Sequence, residues 1–213
     1  MRITRLEVFH VDADWRNWVF LRLTTDTGLT GIGEAGAEGQ DYAGVAMLEQ
    51  IRPSLLGSDP RDIAALTLRL HDEGFWKGVV FLSALGGIEM ACWDILGKSL
   101  GVEVHRLLGG PVRDRVPAYT HISERASGHG VAERADEARD AVKDGWSAMK
   151  WDPLPQGHAS TLTASELRDI REQVEAVRDA IGPDREILLD LHGRLDPHTA
   201  IRVAEAVAPY RPY

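Results

Sequence analysis

The sequence predicts an α+β domain followed by a parallel β/α domain, and three observations carry that reading. The N-terminal segment up to Glu34 holds three β-rich runs separated by turn residues. A long apolar helix pattern then runs from Leu82 to Gly101. Beyond Gly109-Gly110-Pro111, short apolar runs alternate with helical ones, the order that builds a parallel sheet through right-handed crossovers. The change of pattern places a domain boundary near Gly110, dividing the chain into 1–110 and 111–213.

In chain order, Ile3 to Val11 and Trp18 to Thr24 are rich in β-branched and aromatic residues and predict strands. Asp26-Thr27-Gly28 supplies turn chemistry, and Leu29 to Glu34 predicts a third strand that completes an antiparallel meander. Val45, Leu48 and Ile51 share one helix face before Pro53, and Asp59-Pro60 is a helix-start signal ahead of Ile63, Leu66 and Leu70. Leu82, Leu85, Ile88, Cys92, Ile95 and Leu96 recur at three-to-four spacing, the strongest helix signal in the chain. In the second domain Val116 to Ile122, Ser147 to Trp151 and Glu186 to Leu191 predict strands. Val131 to Asp144, Ala164 to Ile181 and Pro197 to Ala208 predict the helices that follow them. The run Ile187-Leu188-Leu189 is what a strand buried on both faces carries.

A hydrophobic content of 44% and a charged content of 27% fit a globular chain with a core of useful size. The net charge of -9, without any Lys/Arg run, argues against a nucleic-acid partner. The start, MRITRLEVFHVD, has no apolar signal region. The most apolar stretch, Gly78 to Ile88, is too short for a bilayer span and is followed by Glu89 and Asp94. No membrane partner is therefore expected, and the cytoplasm is the expected location. The single Cys92 cannot form an internal disulfide and reads as a small apolar filler.

In β/α architectures functional groups gather at the carboxyl ends of strands. Two such ends are polar here, Lys150-Trp151-Asp152 and Asp190-Leu191-His192-Gly193-Arg194. Side chains two apart share a strand face, so Lys150 and Asp152 are expected to project together, as are Asp190 and His192. Carboxylate oxygen is the ligand a hard divalent cation prefers, which makes Asp190, inside an apolar strand, the candidate magnesium ligand. His192 has a free pKa near neutrality and is a candidate for proton transfer. Lys150 is a candidate to hold a substrate carboxylate or to stabilise an enediolate, with Asp152 and Arg194 as accompanying substrate contacts. Structural readings stand beside these. Asp190 could cap the helix starting near Pro197 or pair with Arg194, and Lys150 could simply pair with Asp190. His192 could be a loop histidine, and Asp152, before Pro153, a turn residue. Spacing alone does not choose between them. Trp15-Arg16-Asn17-Trp18 reads as an amphipathic turn rather than a ligand cover, and His121 as structural. Gly31-Ile32-Gly33 is a weak phosphate-loop signal, because no helix follows it closely.

Several of these segments together resemble one family. Thr25-Asp26-Thr27-Gly28-Leu29-Thr30-Gly31-Ile32-Gly33-Glu34 looks like a hairpin of the capping domain in the mandelate racemase and muconate lactonising branch of the enolase superfamily. So does the helix Ser83 to Gly101 with its Ala91-Cys92-Trp93-Asp94-Ile95-Leu96-Gly97-Lys98 segment. Leu107-Leu108-Gly109-Gly110, followed by Val112-Arg113-Asp114, resembles that family's cap-to-barrel junction. Asp190-Leu191-His192-Gly193-Arg194 is similar to the signature of the galactonate and gluconate dehydratase types. Gly57-Ser58-Asp59-Pro60 and Gly74-Phe75-Trp76-Lys77-Gly78 look most like the galactonate type.

The resemblance implies an α+β capping domain (a three-stranded antiparallel meander plus helices) followed by the first three βα units of a TIM-type barrel, truncated. It implies a sugar acid (aldonate) as substrate and magnesium (Mg2+) as cofactor. Asp190 would be the first metal ligand, His192 the acid that protonates the leaving hydroxyl, and Lys150 the group facing the substrate carboxylate. Family members that racemise carry lysine-x-lysine where this chain has Lys150-Trp151-Asp152, so a lysine base is disfavoured. The superfamily's general chemistry, a Lys or His base working with magnesium, is implied by the resemblance and not read from these residues. An eight-unit barrel takes about 250 residues, so the remaining carboxylate ligands and the histidine base are expected on strands this chain does not contain. The chain alone is expected to be inactive, its third barrel strand to keep an open edge, and the full-length form to be a homo-oligomer. Another superfamily epimerisation or cycloisomerisation, and a non-catalytic dimerising remnant, are the alternatives.

Overall fold

The computed structural model describes residues 1–14, 16–74, 77–122, 130–155, 157 and 160–213. Trp15 of the Trp15–Trp18 segment and Phe75 and Trp76 of the Gly74–Gly78 motif lie outside the described residues. The chain divides into two compact units, Met1–Asp114 and Arg115–Tyr213.

The first unit opens with an antiparallel sheet of β1 (Ile3–Ala13), β2 (Arg16–Thr25) and β3 (Thr30–Glu34), in the order β1-β2-β3. Alternation along β2 turns Val19, Leu21 and Leu23 inward and leaves Trp18, Phe20 and Arg22 on the outer face. The inner face is covered by α1 (Asp41–Leu55) and α3 (Val79–Leu100), with α2 (Ile63–Glu73) packed against both helices; a short α4 (Val104–Leu107) follows. Two boundary expectations are corrected. Helix α1 runs through Pro53, which lies in its last turn, and Asp59 does not cap α2; its carboxylate instead takes the Arg61 backbone N–H and guanidinium. Helix α3 is longer than its most apolar stretch and by length and composition alone would suffice for a membrane span. Its Ala84, Ile88, Ala91, Cys92 and Ile95 instead form the core with the sheet. Gly101, left-handed at φ 69°, ends the helix, its N–H reaching the Lys98 carbonyl at 3.3 Å and Val102 N–H the Gly97 carbonyl at 3.0 Å.

Helix α3 also closes the sheet's free edge. Asp94 Oδ2 accepts the Ile32 N–H at 3.0 Å, and Lys98 Nζ donates to the Thr30 carbonyl at 2.8 Å and to Asp94 at 2.7 Å. An i, i+4 pair thus satisfies backbone groups that an edge strand would otherwise present to another chain. Gly31 and Gly33 have a packing role too: a Cβ on Gly31 would sit 2.0 Å from the Ala91 carbonyl oxygen, and one on Gly33 1.9 Å from that of Gly87. They are sites of close helix–strand approach, not a phosphate loop.

The second unit is a parallel sheet, β4 (Thr120–His121), β5 (Ala148–Trp151) and β6 (Glu186–Leu189), in that order. Each strand leads to a helix: α5 (Val131–Lys143), α6 (Ala164–Ile181) and α7 (Pro197–Val207), the last followed by a 3-10 turn, Ala208–Tyr210. Helix α6 begins at a reciprocal box, Thr163 Oγ1 accepting the Glu166 N–H and Glu166 accepting the Thr163 N–H. Met149, Trp151 and Ile187 pack against Ala138, Ala141, Ile170, Val174, Val177 and Val203. Strand β4 is shorter than the predicted 116–122. Pro117 has no N–H to give a ladder, and pairing with β5 begins only at Thr120. Only Ile187 of the β6 run is fully buried, with Leu188 and Leu189 partly so. The outer edge of β6 is not wholly open either, because Tyr213 N–H donates to the Ile187 carbonyl at 2.7 Å.

Candidate active site

Strand alternation fixes the first component. Met149 and Trp151 point into the helix layer, so Lys150 between them emerges on the opposite face of the sheet. The second component arises differently from the simple alternation expected. Strand β6 ends at Leu189, and Asp190 is held beside the end of β5 by its N–H, which donates to the Trp151 carbonyl at 2.9 Å. The chain then turns through two left-handed residues, His192 at φ 50° and Gly193 at φ 63°. A left-handed histidine is uncommon and carries backbone strain. Here it is held by its own N–H, which donates to Asp190 Oδ1 at 3.0 Å.

This turn brings the imidazole back over the carboxylate. Lys150 Nζ lies 2.7 Å from Asp190 Oδ2, and His192 Nε2 lies 3.6 Å from the same oxygen. On the other side of the ring, His192 Nδ1 lies 3.3 Å from Asp152 Oδ2, which is also bonded to the Arg194 guanidinium. Asp152 Oδ1 accepts the Leu154 N–H at 2.9 Å. The structure thus joins Lys150, Asp190, His192, Asp152 and Arg194 in one unbroken line. Several structural readings are realised in it: Lys150 pairs with Asp190 and Asp152 forms a turn. Others are not. Arg194 pairs with Asp152 rather than Asp190, and Asp196, not Asp190, caps α7 by accepting the Thr199 N–H at 2.7 Å.

The electrostatics follow from the pairing. The hydrogen bond from Lys150, aided by the His192 N–H, holds the Asp190 carboxyl below its ordinary pKa. The same bond, with help from the Tyr119 phenol, raises that of Lys150 against the opposing effect of desolvation. Tyr119 carries no site signal in the sequence, where it is one more residue of the predicted strand 116–122; its ring centroid lies 5.4 Å from Lys150 Nζ and 5.6 Å from the His121 ring. Arg134 carries none either, sitting within a helix pattern. It is 7% exposed and lies 5.8 Å from the Trp151 ring centroid, and its Nε and Nη1 have no hydrogen-bond partner among the described residues. Of the segment 15–18, Arg16 and Trp18 belong to β2, where the guanidinium covers the indole at 4.5 Å.

A carboxylate such as Asp190 suits magnesium as one ligand, but a hard cation takes about six oxygens. Among the described residues no group of three His, Cys, Asp or Glu side chains converges as a metal site. Both carboxylates here are already matched, Asp190 by Lys150 and Asp152 by Arg194. The described residues do not form a completed cation site.

An antiparallel sheet with helices, then a parallel βα series with an acid–imidazole–ammonium group at its strand ends, define a two-unit protein, one unit α+β and the other β/α. Residues 10–109 match the mandelate racemase / muconate lactonizing enzyme N-terminal domain, and residues 133–213 the enolase C-terminal domain-like family. The chain belongs to the mandelate racemase/muconate lactonizing enzyme family of the enolase superfamily. It is 35% identical over 209 residues to a D-gluconate dehydratase of Thermoproteus tenax, covering 95% of this chain and 41% of that protein. With a D-galactonate dehydratase of Verminephrobacter eiseniae it shares 36% over 214 residues, covering 100% of this chain and 54% of the relative. A mandelate racemase/muconate lactonizing enzyme structure from Jannaschia sp. CCS1 superposes with a TM-score of 0.86 at 32% identity, covering 100% of this chain and 60% of that one. The chain spans about half the length of the curated relatives it matches.

Proposed function

We propose that this chain contributes part of the active site of a magnesium-dependent dehydratase acting on an aldonate. The observation that most supports this is the meeting of Lys150, Asp190 and His192 at two adjacent strand ends, in a chain whose relatives are named gluconate and galactonate dehydratases. When bound, magnesium would polarise the substrate carboxylate and so acidify the neighbouring C–H. Asp190 is this chain's proposed ligand to it, and Lys150 is proposed to face the same carboxylate. The electron pair left by removal of the α-proton becomes the new C–C double bond as the β-C–O bond breaks. His192 gives its proton to the departing oxygen, which leaves as water. The resulting enol becomes a 2-keto-3-deoxy acid. No base is assigned to this chain, and with a single metal carboxylate the 213 residues are proposed to be inactive alone.

The test is to co-express the chain with a polypeptide carrying the later strands of a D-galactonate dehydratase. Galactonate and gluconate would be supplied with magnesium, and 2-keto acid assayed. Product formation that is lost in His192→Asn is the expected result. An epimerised sugar acid with no 2-keto product would replace dehydration with epimerisation. Turnover by the unaided chain would refute its proposed inactivity.

A further inference from the structure

We infer that Asp152, gripped by Arg194, is a positioning residue that sets which ring nitrogen of His192 is turned toward Lys150 and Asp190. The purpose of this arrangement rests on the proposed function, but its geometry does not. Asp152 is held at both oxygens, Oδ1 by the Leu154 N–H at 2.9 Å and Oδ2 by the Arg194 guanidinium. Arg194 is in turn fixed in the loop by its N–H, which donates to the Leu191 carbonyl at 3.0 Å. The carboxylate is thus a fixed acceptor carried on the neighbouring strand end.

That backbone cannot orient the ring by itself. The His192 N–H on Asp190 Oδ1 fixes the left-handed turn yet leaves the imidazole free to present either nitrogen, and the side chain is more than half exposed. Of the two carboxylates flanking the ring, Asp152 is the nearer, 3.3 Å from Nδ1 against 3.6 Å between Nε2 and Asp190. An ionised carboxylate only accepts hydrogen bonds, so the nitrogen facing it keeps its proton. Asp190 Oδ2 already receives the Lys150 ammonium at 2.7 Å. Nδ1 therefore carries the fixed proton toward Asp152, and Nε2 is the atom offered for exchange at the strand ends. Asp152 and Arg194 neutralise one another and act through the ring rather than as substrate contacts.

The experiment is nitrogen-15 NMR of the His192 ring in the 213-residue chain, at a pH where the ring is neutral, comparing wild type with Asp152→Ala. The wild type is expected to be chiefly Nδ1–H. In Asp152→Ala the ratio of Nδ1–H to Nε2–H is expected to fall roughly tenfold, through loss of the charged acceptor that lies 3.3 Å from Nδ1. Arg194→Ala, which leaves the carboxylate in place but ungripped, is expected to give a smaller fall. It carries the test should Asp152→Ala fail to fold. A wild-type ring that is chiefly Nε2–H, or a ratio unchanged in the folded variants, would overturn the inference. Turnover plays no part in this readout, so loss of the dehydratase reading leaves the result standing, and the converse holds as well.

Discussion

Strand β3 lies against helix α3 with backbone nearly touching backbone, and Gly33→Ala is the sharpest way to disturb it. Two residues along a strand advance about 6.8 Å and four along a helix about 6 Å. The step from Gly31 to Gly33 therefore matches the step from Ala91 back to Gly87. A Cβ on Gly33 would stand 1.9 Å from the Gly87 carbonyl oxygen, whereas such carbon–oxygen contacts normally lie at about 3.3 Å or more. The strand and helix must part by over ~1 Å, because the atoms in the way are backbone and not a flexible side-chain end. Overpacking costs about 1–3 kcal/mol, and a clash between two backbones belongs at the upper end. For a unit of this size that lowers the melting temperature by roughly 10–20 °C. Thermal unfolding followed by circular dichroism reads the change. Gly86→Ala is the control: it lies on the same helix, and its added Cβ meets nothing within 4 Å among the described residues. That change is expected to stabilise by about 0.5–1 kcal/mol through helix propensity. A Gly33→Ala protein melting within about 2 °C of wild type would show that the two backbones are not in such close contact.

Three further outcomes follow from the structure. Lys150→Met removes the hydrogen bond that keeps Asp190 below its ordinary pKa. A depressed carboxylate stabilises the fold above its unfolded value, about 3.9, and that contribution disappears as pH falls through the folded value. The melting-temperature gap between wild type and variant is therefore expected to be open at neutral pH and to close in strong acid; a gap that persists there would contradict the pairing. Millimolar magnesium is expected to leave the melting temperature of the 213-residue chain unchanged, since a stabilising ligand must bind the native state tightly. A clear upward shift would mean that the chain closes a cation site by itself. The Cys92 thiol, with its pKa pushed up to about 12 by burial, is expected to resist iodoacetamide in the native chain and react once it is unfolded. Rapid native alkylation, read by mass spectrometry, would show that α3 does not bury it.

Much of the fold was legible because it is decided over a few residues at a time. The three-four spacing of Leu167, Ile170, Val174, Val177 and Ile181 predicts a helix over Ala164–Ile181, the span that α6 occupies. The meander is announced by Asp26-Thr27-Gly28, and the parallel order by alternating strand and helix patterns. Strand ends were less legible. Residues 116–119 have strand composition, but pairing starts only at Thr120, and Asp190 and His192 meet through a left-handed turn that alternation does not describe.

What could be read from the residues in order was whatever is local along the chain: periodicity, turns, and two polar strand ends in a succession of βα units. Partners were set by packing. Lys150 reaches Asp190, and Arg194 reaches Asp152 with His192 between, because parallel pairing sets Lys150 opposite Leu188 and brings the two strand ends level. Likewise, only the folded chain reveals that Gly31 and Gly33 make room for a helix and that Asp94 and Lys98 seal an edge. Helix and turn preferences act between residues within about one turn of each other, whereas ion pairing and close approach depend on a register fixed by the whole buried face.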